Sequence, residues 1–164
     1  MKIKEVIYKP IGVIHSEHLS PKGTPIQTTQ RSKTVCYIEI YKKYVKGLKD
    51  LEGYSHIILI YHFHLSGKSP LLVKPFLDRK LRGVFATRAP GRPNPIGFTV
   101  VSLVGITGNK ILIKSDDIVD GTPLLDIKPY VPKFDIKKVK KTGWVQKKLK
   151  GVHAARDDGR FTNA

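Results

Sequence analysis

Short runs of β-branched and aromatic residues, separated by turn residues, recur along most of this chain and restrict its fold more than any other feature. Segments of this kind lie at 3–8, 36–41, 56–63, 83–87, 98–106, 110–114 and 125–130. Alternation in VCYIEIY predicts a half-buried strand, whereas HIILIY is apolar on both faces and predicts a central one. Gly-Asn within TGNK, residues 107–110, predicts a hairpin. Many closely spaced strands predict an all-β sandwich or barrel.

Other features of the chain narrow the class of protein further. Only the short stretch 42–51 looks helical before residue 133, and 164 residues suffice for one domain with its own core. No apolar run approaches the roughly 18 residues of a membrane span. The alternating N-terminus MKIKEVIYKPIGVI is typical of a strand and not of a signal peptide. Because Cys36 is the single cysteine, no intrachain disulfide can form. We expect a cytoplasmic protein with no membrane partner.

The charge of the chain indicates a polyanionic partner. Thirty Lys and Arg residues oppose thirteen Asp and Glu residues, which gives a net charge of +17. A net positive charge of this size favours nucleic acid as the partner, and an anionic membrane is the second candidate. The alternative is that the charge reflects a proteome that is rich in lysine. Residues 133–164 supply ten of the cations and three of the acids. This basic end of the chain is either a strand that closes the sheet or an arm that orders on RNA, and its last eight residues are expected to be partly disordered.

The stretch TRAPGRPNPIGF, residues 87–98 and called the proline loop below, is the most unusual segment. Its three prolines fix φ and remove backbone donors, so regular structure is not expected there. Arg88 and Arg92 present planar forks of donors suited to carboxylate or phosphate, and Asn94 adds a donor and an acceptor. Gly97 would let a ligand approach the backbone. The plain alternative is a rigid crossover whose arginines bind carbonyl groups of the loop itself.

Two further groups of polar residues could line a site. Asp126 and Lys128 are two apart on a strand and therefore share a face, where they form either a salt bridge or a pocket of opposed charges. His62 and His64 share the same spacing, but a metal needs three or four converging ligands, so no metal site is predicted. His64 is better suited to hydrogen bonding in a substrate pocket. The polar loop at 23–32, with Gln27, could hydrogen-bond a base or a sugar.

The sequence lacks three common motifs: a glycine-rich dinucleotide motif after a strand, a phosphate-binding loop and a nucleophile elbow. The residues alone therefore predict a basic β-domain with a stiff arginine loop that binds RNA or a nucleotide.

Four motifs carry a more specific indication. IGVIHS, LEGYSHIILIYHFH, GVFATRAPGRPNPIG and DIVDGTPLLDIKPYVP occur in that order. Over about residues 8–135 the chain resembles the TsaA-like, or TrmO, family of tRNA methyltransferases. This resemblance implies a single-sheet antiparallel β-barrel at 1–135, followed here by a short basic extension at 136–164 in place of an additional domain. It also implies a homodimer that binds S-adenosylmethionine and methylates N6 of N6-threonylcarbamoyladenosine, the adenosine next to the anticodon at position 37 of tRNA.

The resemblance also implies the cofactor contacts, namely Pro25, Ile26, Gln27, Phe63, His64, Arg88, Leu125, Asp126, Ile127 and Lys128. As hypotheses, Asp126 would hold the cofactor's ammonium, Lys128 or Arg88 its carboxylate, and His64 its ribose or adenine. Arg92 and Asn94 are predicted to bind the threonyl carboxylate or the flipped base of the substrate. No general base is identified. The alternatives are a non-catalytic basic β-barrel that binds RNA and a metal-dependent hydrolase that uses the histidines.

Overall fold

The computed structural model describes residues 5–27, 34–68 and 70–162. Eight strands occur in these ranges: β1 Gly12–His15, β2 Val35–Ile40, β3 His56–His62, β4 Leu72–Val73, β5 Arg82–Gly83, β6 Ile96–Thr107, β7 Lys110–Lys114 and β8 Thr122–Pro129. Helical structure in the same ranges is confined to one turn of α-helix, α1 at Pro132–Asp135, and to the 3₁₀ segments Lys42–Leu48, Leu51–Gly53, Val84–Ala86, Gly143–Lys147 and Leu149–Gly151.

Six strands form one closed antiparallel barrel in the order β1-β2-β7-β6-β3-β8, which confirms the predicted fold class. The β6–β7 hairpin turns at 108–109 with Thr107 opposite Lys110, as predicted, and Gly108 adopts a positive φ of 60° there. Closure removes the free edges that an open sheet of this size would expose. The remaining strands, β4 and β5, form a separate two-stranded sheet.

The barrel interior is filled by branched aliphatic side chains from every strand. Alternate residues of β3 are buried, including Ile57 and Leu59 at 0% exposure, because successive side chains of a strand point to opposite faces. The other fully buried residues of this core include Ile14, Ile38, Ile111, Ile113 and Leu124.

A second, smaller core lies outside the barrel. Val73, Val84 and Ala89 pack there with Phe161, which comes from the C-terminal extension, residues 136–164. Phe76 meets the Phe161 ring edge-on with 5.1 Å between the centroids. Trp144 and Phe161 therefore attach the extension to the segment that joins β3 to β6, whereas residues 136–143 are exposed. No strand of the described extension joins the barrel. The partial disorder expected for the last eight residues does not extend to residues 157–162, and residues 163 and 164 lie outside the described ranges.

Several predicted elements differ from the observed ones. Residues 5–8 of the strand expected at 3–8 are exposed and extended, and β1 forms instead at Gly12–His15, where Ile14 reaches the core. The strand expected at 83–87 is a 3₁₀ turn after β5, and the helix expected at 42–51 is two 3₁₀ segments. The proline loop ends sooner than predicted, because β6 begins at Ile96.

No helix in the described ranges has the length and apolar composition that a membrane crossing requires.

Candidate functional site

A cavity of about 1040 Å³, called the main cavity, opens beside the end of β3 and the beginnings of β6 and β8. The parts of the chain that line it include the polar loop at 24–27, the end of β3 with Phe63 and His64, residues 75–77, the proline loop, residues 117–122, and the C-terminal extension with Trp144, Asp157 and Phe161. Of the predicted site residues, the cavity brings together Pro25, Ile26, Gln27, Phe63, His64, Arg88, Arg92 and Asn94.

The proline loop is held rigidly by hydrogen bonds within it and to β3. The Thr87 hydroxyl donates to the Val84 carbonyl at 2.8 Å and accepts from the Ala89 N–H at 3.3 Å. Phe63 N–H donates to the Pro95 carbonyl at 2.8 Å, which joins the loop to the end of β3. Together with the three fixed proline φ angles, these bonds order the loop before any ligand binds, so binding it costs little conformational entropy.

The two arginines of the proline loop have different roles. Arg88 is exposed, lies over the Phe98 ring at 5.8 Å, and donates to the Gln27 side-chain oxygen at 3.4 Å. Its guanidinium therefore lies between Gln27, a predicted cofactor contact, and the Phe98 ring, and all three residues line the main cavity. Arg92 instead donates to the Thr87 carbonyl at 3.2 Å. It therefore binds a carbonyl group of the loop itself, which was the alternative to ligand binding. Arg92 thus stabilises the loop through its Nη1, and the other donors of its guanidinium stay available to a ligand.

Gly97 lines the main cavity, and the approach of a ligand to its backbone stays a prediction. A Cβ at this position would overlap the Tyr61 ring, so the space that a side chain would take is already filled. Tyr61 is 5% exposed and its ring meets Phe63 edge-on at 5.3 Å. Burial raises the pKa of the Tyr61 phenol far above its ordinary value, so the ring is neutral. Gly97 is therefore required to seat the aromatic pair beneath the cavity.

Replacing Gly97 with alanine should displace the Tyr61 ring. We expect a loss of about 1–3 kcal/mol in the free energy of unfolding, which is the usual cost of overpacking a core. Gly105 is a matched control, because a Cβ there meets nothing within 4 Å, and Gly105→Ala should leave stability nearly unchanged. Urea denaturation of both variants measures the difference, and equal stabilities would show that the ring can move freely.

His64 lies beside the main cavity in a neutral form. Burial lowers its pKa below the ordinary value, the nearby His62 lowers it further, and Asp120 acts in the opposite direction. Its Nε2 would lie 3.9 Å from a Cβ on Gly121, which places the ring against the turn before β8. A neutral imidazole can accept as well as donate a hydrogen bond, which suits a ribose hydroxyl or an adenine edge.

The C-terminal extension fixes the polar loop on the other side of the cavity. Gly23 N–H donates to the Asp157 carbonyl and Asp157 N–H donates to the Thr24 carbonyl, both at 2.8 Å. The Asp157 side chain accepts from Gly159 N–H at 2.7 Å, and burial raises the pKa of its carboxyl group. Trp144 donates its indole N–H to the Ala86 carbonyl at 2.7 Å, which attaches the extension next to the proline loop.

Leu125, Asp126, Ile127 and Lys128 do not line the main cavity of the single chain. A bulge at Leu125 shifts the register of β8, because Leu124 pairs with Tyr61 whereas Asp126 pairs with Ile60. The bulge turns Ile127 toward the core and leaves Asp126 and Lys128 on the outer face. There they share a face, as predicted, and form a salt bridge with 2.7 Å between Asp126 Oδ2 and Lys128 Nζ. Of the two alternatives given for this pair, a salt bridge or a pocket of opposed charges, the single chain shows the first.

The histidines form no metal site in the part of the chain that the structure describes. No group of three or more His, Cys, Asp or Glu side chains converges there. His15 instead pairs with Asp120 at 3.3 Å and stacks on Tyr37 at 4.6 Å.

The cavity residues that the sequence analysis missed include Trp144, Asp157 and Phe161. All three lie in the basic extension, where clustered lysines suggest a solvated arm. The one available signal was the presence of Trp144, Val145 and Leu149 among the lysines, since apolar side chains in such a segment need a surface to cover them.

Comparison with known proteins relates this arrangement to one family. Residues 13–136 match the tRNA-methyltransferase O N-terminal domain. The chain is 51% identical over 156 residues to a probable S-adenosyl-L-methionine-binding protein of Pyrococcus abyssi, covering 95% of this chain and 85% of that protein. It is 35% identical over 137 residues to a tRNA (adenine(37)-N6)-methyltransferase of Mus musculus, covering 79% of this chain and 32% of that protein.

Among solved structures, TrmO from Pseudomonas aeruginosa superposes with a TM-score of 0.73 at 34% identity. The match covers 88% of this chain and 63% of that one. The chain thus spans less than two thirds of the Pseudomonas protein and about a third of the mouse enzyme.

Proposed function

Because the chain belongs to the tRNA-methyltransferase O family, we propose that it is an S-adenosylmethionine-dependent methyltransferase acting on N6 of the adenosine at position 37 of tRNA. We further propose N6-threonylcarbamoyladenosine as the form of that adenosine which is methylated. The observation that carries the proposal is the main cavity, in which residues predicted for cofactor and substrate lie around one opening. The net charge of +17 supports an RNA substrate, whose phosphates bind clustered cations.

The chemistry of the cavity fits the proposed cofactor. Its volume of about 1040 Å³ accommodates a nucleoside with an amino-acid chain, and Phe63 offers an aromatic face beside a neutral His64. Arg88 supplies a cation for a carboxylate, and Asp157 supplies a carboxylate for an ammonium. S-adenosylmethionine would bring an activated methyl group, so the protein has to bind, align and exclude water.

Asp157, and not Asp126, is our candidate for the cofactor's ammonium group. Lys128 already neutralises Asp126 on the outer face, whereas Asp157 lies in the cavity without a described salt bridge. We expect Asp157→Asn to raise the dissociation constant for S-adenosylmethionine about tenfold, since a charge-assisted hydrogen bond becomes a neutral one. Asp126→Asn is the matched control. Calorimetry measures the affinity of both variants for S-adenosylmethionine. If Asp126→Asn weakens this binding and Asp157→Asn does not, Asp126 binds the ammonium group instead.

The homodimer, the tRNA partner and the cytoplasmic location are further parts of the proposal. The residues Leu125–Lys128 stay predicted cofactor contacts, and a second copy of the chain is what would bring a cavity to the outer face, where Asp126 and Lys128 lie. Sedimentation velocity tests the dimer. If the protein sediments as a monomer and still binds S-adenosylmethionine, those four contacts are excluded.

Methyl transfer tests the whole proposal. Labelled S-adenosylmethionine is incubated with the protein and with tRNA that carries or lacks the threonylcarbamoyl group. We expect label in the modified tRNA alone. Label in both RNAs would correct the substrate to adenosine itself, and label in neither, despite binding of tRNA, would leave a non-catalytic RNA-binding barrel.

A further inference from the structure

A second cavity, of about 940 Å³, adjoins the main cavity. Phe76, Leu77 and Phe161 line both cavities, so these three side chains are what separates them. The second cavity lies where the β4–β5 segment meets the C-terminal extension. A polymer with one unit in the main cavity would therefore have its neighbouring units close to the second cavity.

Basic side chains dominate the lining of this second cavity, which we call the cationic cavity. Six of its lining residues are cations: Lys68, Lys74, Arg79, Lys80, Lys148 and Arg160. Within the described ranges, Asp78 is the one carboxylate among the lining residues. The lining thus carries a formal excess of five positive charges, which is a large share of the +17 of the whole chain.

The charge of Asp78 is largely neutralised by a residue outside the cavity lining. Its carboxylate accepts from Arg82 Nη2 at 2.7 Å and from Arg82 Nε at 3.2 Å, and only 8% of the side chain is exposed. The Arg82 hydrogen bonds lower the Asp78 pKa, so the carboxylate stays ionised. Lys148 also pairs with Asp78, with 3.9 Å between its Nζ and the Asp78 Oδ1, so it is not counted among the free cations.

Asp78 also shapes the turn that carries the next two cations. The backbone N–H groups of Arg79 and Lys80 donate to its Oδ1 at 2.8 and 3.4 Å, while both side chains are exposed. Arg160 has a structural part, because it pairs with Asp158 and donates to the carbonyls of Lys74 and Pro75. Four exposed cations, Lys68, Lys74, Arg79 and Lys80, are left to bind a ligand.

We propose that the cationic cavity binds the phosphate backbone of tRNA beside the target nucleotide, while that nucleotide occupies the main cavity. The proposal rests on the proposed function for its choice of RNA. Two observations carry it: four exposed cations surround a concave surface, and that surface continues into the main cavity across Phe76, Leu77 and Phe161. Contacts of this kind position an RNA without reading its sequence.

Substitution of Arg79 and Lys80 by glutamine tests the cavity directly. Their hydrogen bonds to Asp78 use backbone N–H groups, so the double variant Arg79→Gln/Lys80→Gln leaves the turn intact. We expect tRNA binding to weaken about tenfold in low salt. The slope of log affinity against log salt should become shallower by roughly 1 for each lost phosphate contact, hence by about 2. Fluorescence anisotropy with labelled tRNA over a range of KCl concentrations measures both.

The matched control is Lys46→Gln/Lys49→Gln, which removes the same charge from exposed positions that line neither cavity. It should change the tRNA affinity and the salt slope much less. Equal effects of the two double variants would overturn the site, because net charge alone would then explain the loss. Sodium tripolyphosphate serves as a second probe. If Arg79→Gln/Lys80→Gln loses tripolyphosphate but binds tRNA like the wild type, the cavity binds small polyphosphates and the RNA proposal is wrong.

Separate measurements distinguish this proposal from the proposed function. Calorimetry with S-adenosylmethionine should give the same affinity for the wild type and for Arg79→Gln/Lys80→Gln. A wild-type protein that binds tRNA without methylating it would contradict the proposed enzyme, and the double variant would still test the RNA site. A protein that methylates tRNA, with a KM for tRNA unchanged in the double variant, would contradict the RNA site alone.

Discussion

Replacing Arg88 with alanine should lower kcat/KM for methyl transfer to tRNA by roughly a hundredfold to a thousandfold. Arg88 is the exposed guanidinium at the mouth of the main cavity, between Gln27 and the Phe98 ring. A bidentate arginine–carboxylate pair forms two charge-assisted hydrogen bonds, and losing both costs two or more factors of ten in rate or affinity. Transfer of labelled methyl groups at several S-adenosylmethionine concentrations measures the loss.

Arg88→Lys is the informative companion to this variant. Lysine keeps the positive charge but lacks the planar fork, so an intermediate loss of kcat/KM is expected. Since Arg88 is exposed, its replacement by either residue should leave thermal unfolding close to that of the wild type. Normal transfer by Arg88→Ala would place the cofactor's carboxylate elsewhere, and a large loss of stability would make Arg88 a structural residue.

Replacing Phe161 with alanine should have the largest effect on stability. Phe161 is 7% exposed, forms the second core with Val73, Val84 and Ala89, and contacts the Phe76 ring. Removing a buried phenylalanine ring typically costs about 3–5 kcal/mol, and a Cβ at Gly91 would lie 3.3 Å from this ring, so the site is tightly packed. Urea denaturation should show the loss, with the C-terminal extension released first.

Affinity for S-adenosylmethionine should fall along with this stability. The extension lines the main cavity and hydrogen-bonds the polar loop through Asp157, so its release removes one side of the cavity. Phe134→Ala is the control, because Phe134 is 67% exposed and its loss should change stability by less than about 0.5 kcal/mol. If Phe161→Ala binds the cofactor as the wild type does, the extension has no part in the site.

The barrel and the proline loop could be predicted from the sequence because their signals are local. Alternation in VCYIEIY predicts a strand, and the Gly-Asn turn predicts a hairpin. Neither prediction depends on the fold of the rest of the chain. By contrast, residues 5–8 are as rich in β-branched and aromatic side chains as a strand, yet no strand in the described ranges pairs with them. Strand formation depends on partners that a single sequence does not reveal.

The site was predicted in part for a related physical reason. Resemblance to a family identified Gln27, His64 and Arg88, which converge on one cavity. A one-residue bulge at Leu125 decides which way Asp126 points, and the residue pattern of LLDIKPY does not show it. Asp157 and Phe161 enter the site through contacts with residues 23–24 and 67–91, more than 65 positions earlier in the chain. Contacts over such separations leave no periodic signal in the sequence.

The pairing of residues 155–157 with residues 23–26 also makes the main cavity separable from the barrel. All six barrel strands are complete by Pro129, whereas Asp157 and Phe161 of the cavity lie beyond that residue. A protease that removes the C-terminal extension would therefore leave every barrel strand whole and take away one side of the proposed cofactor site.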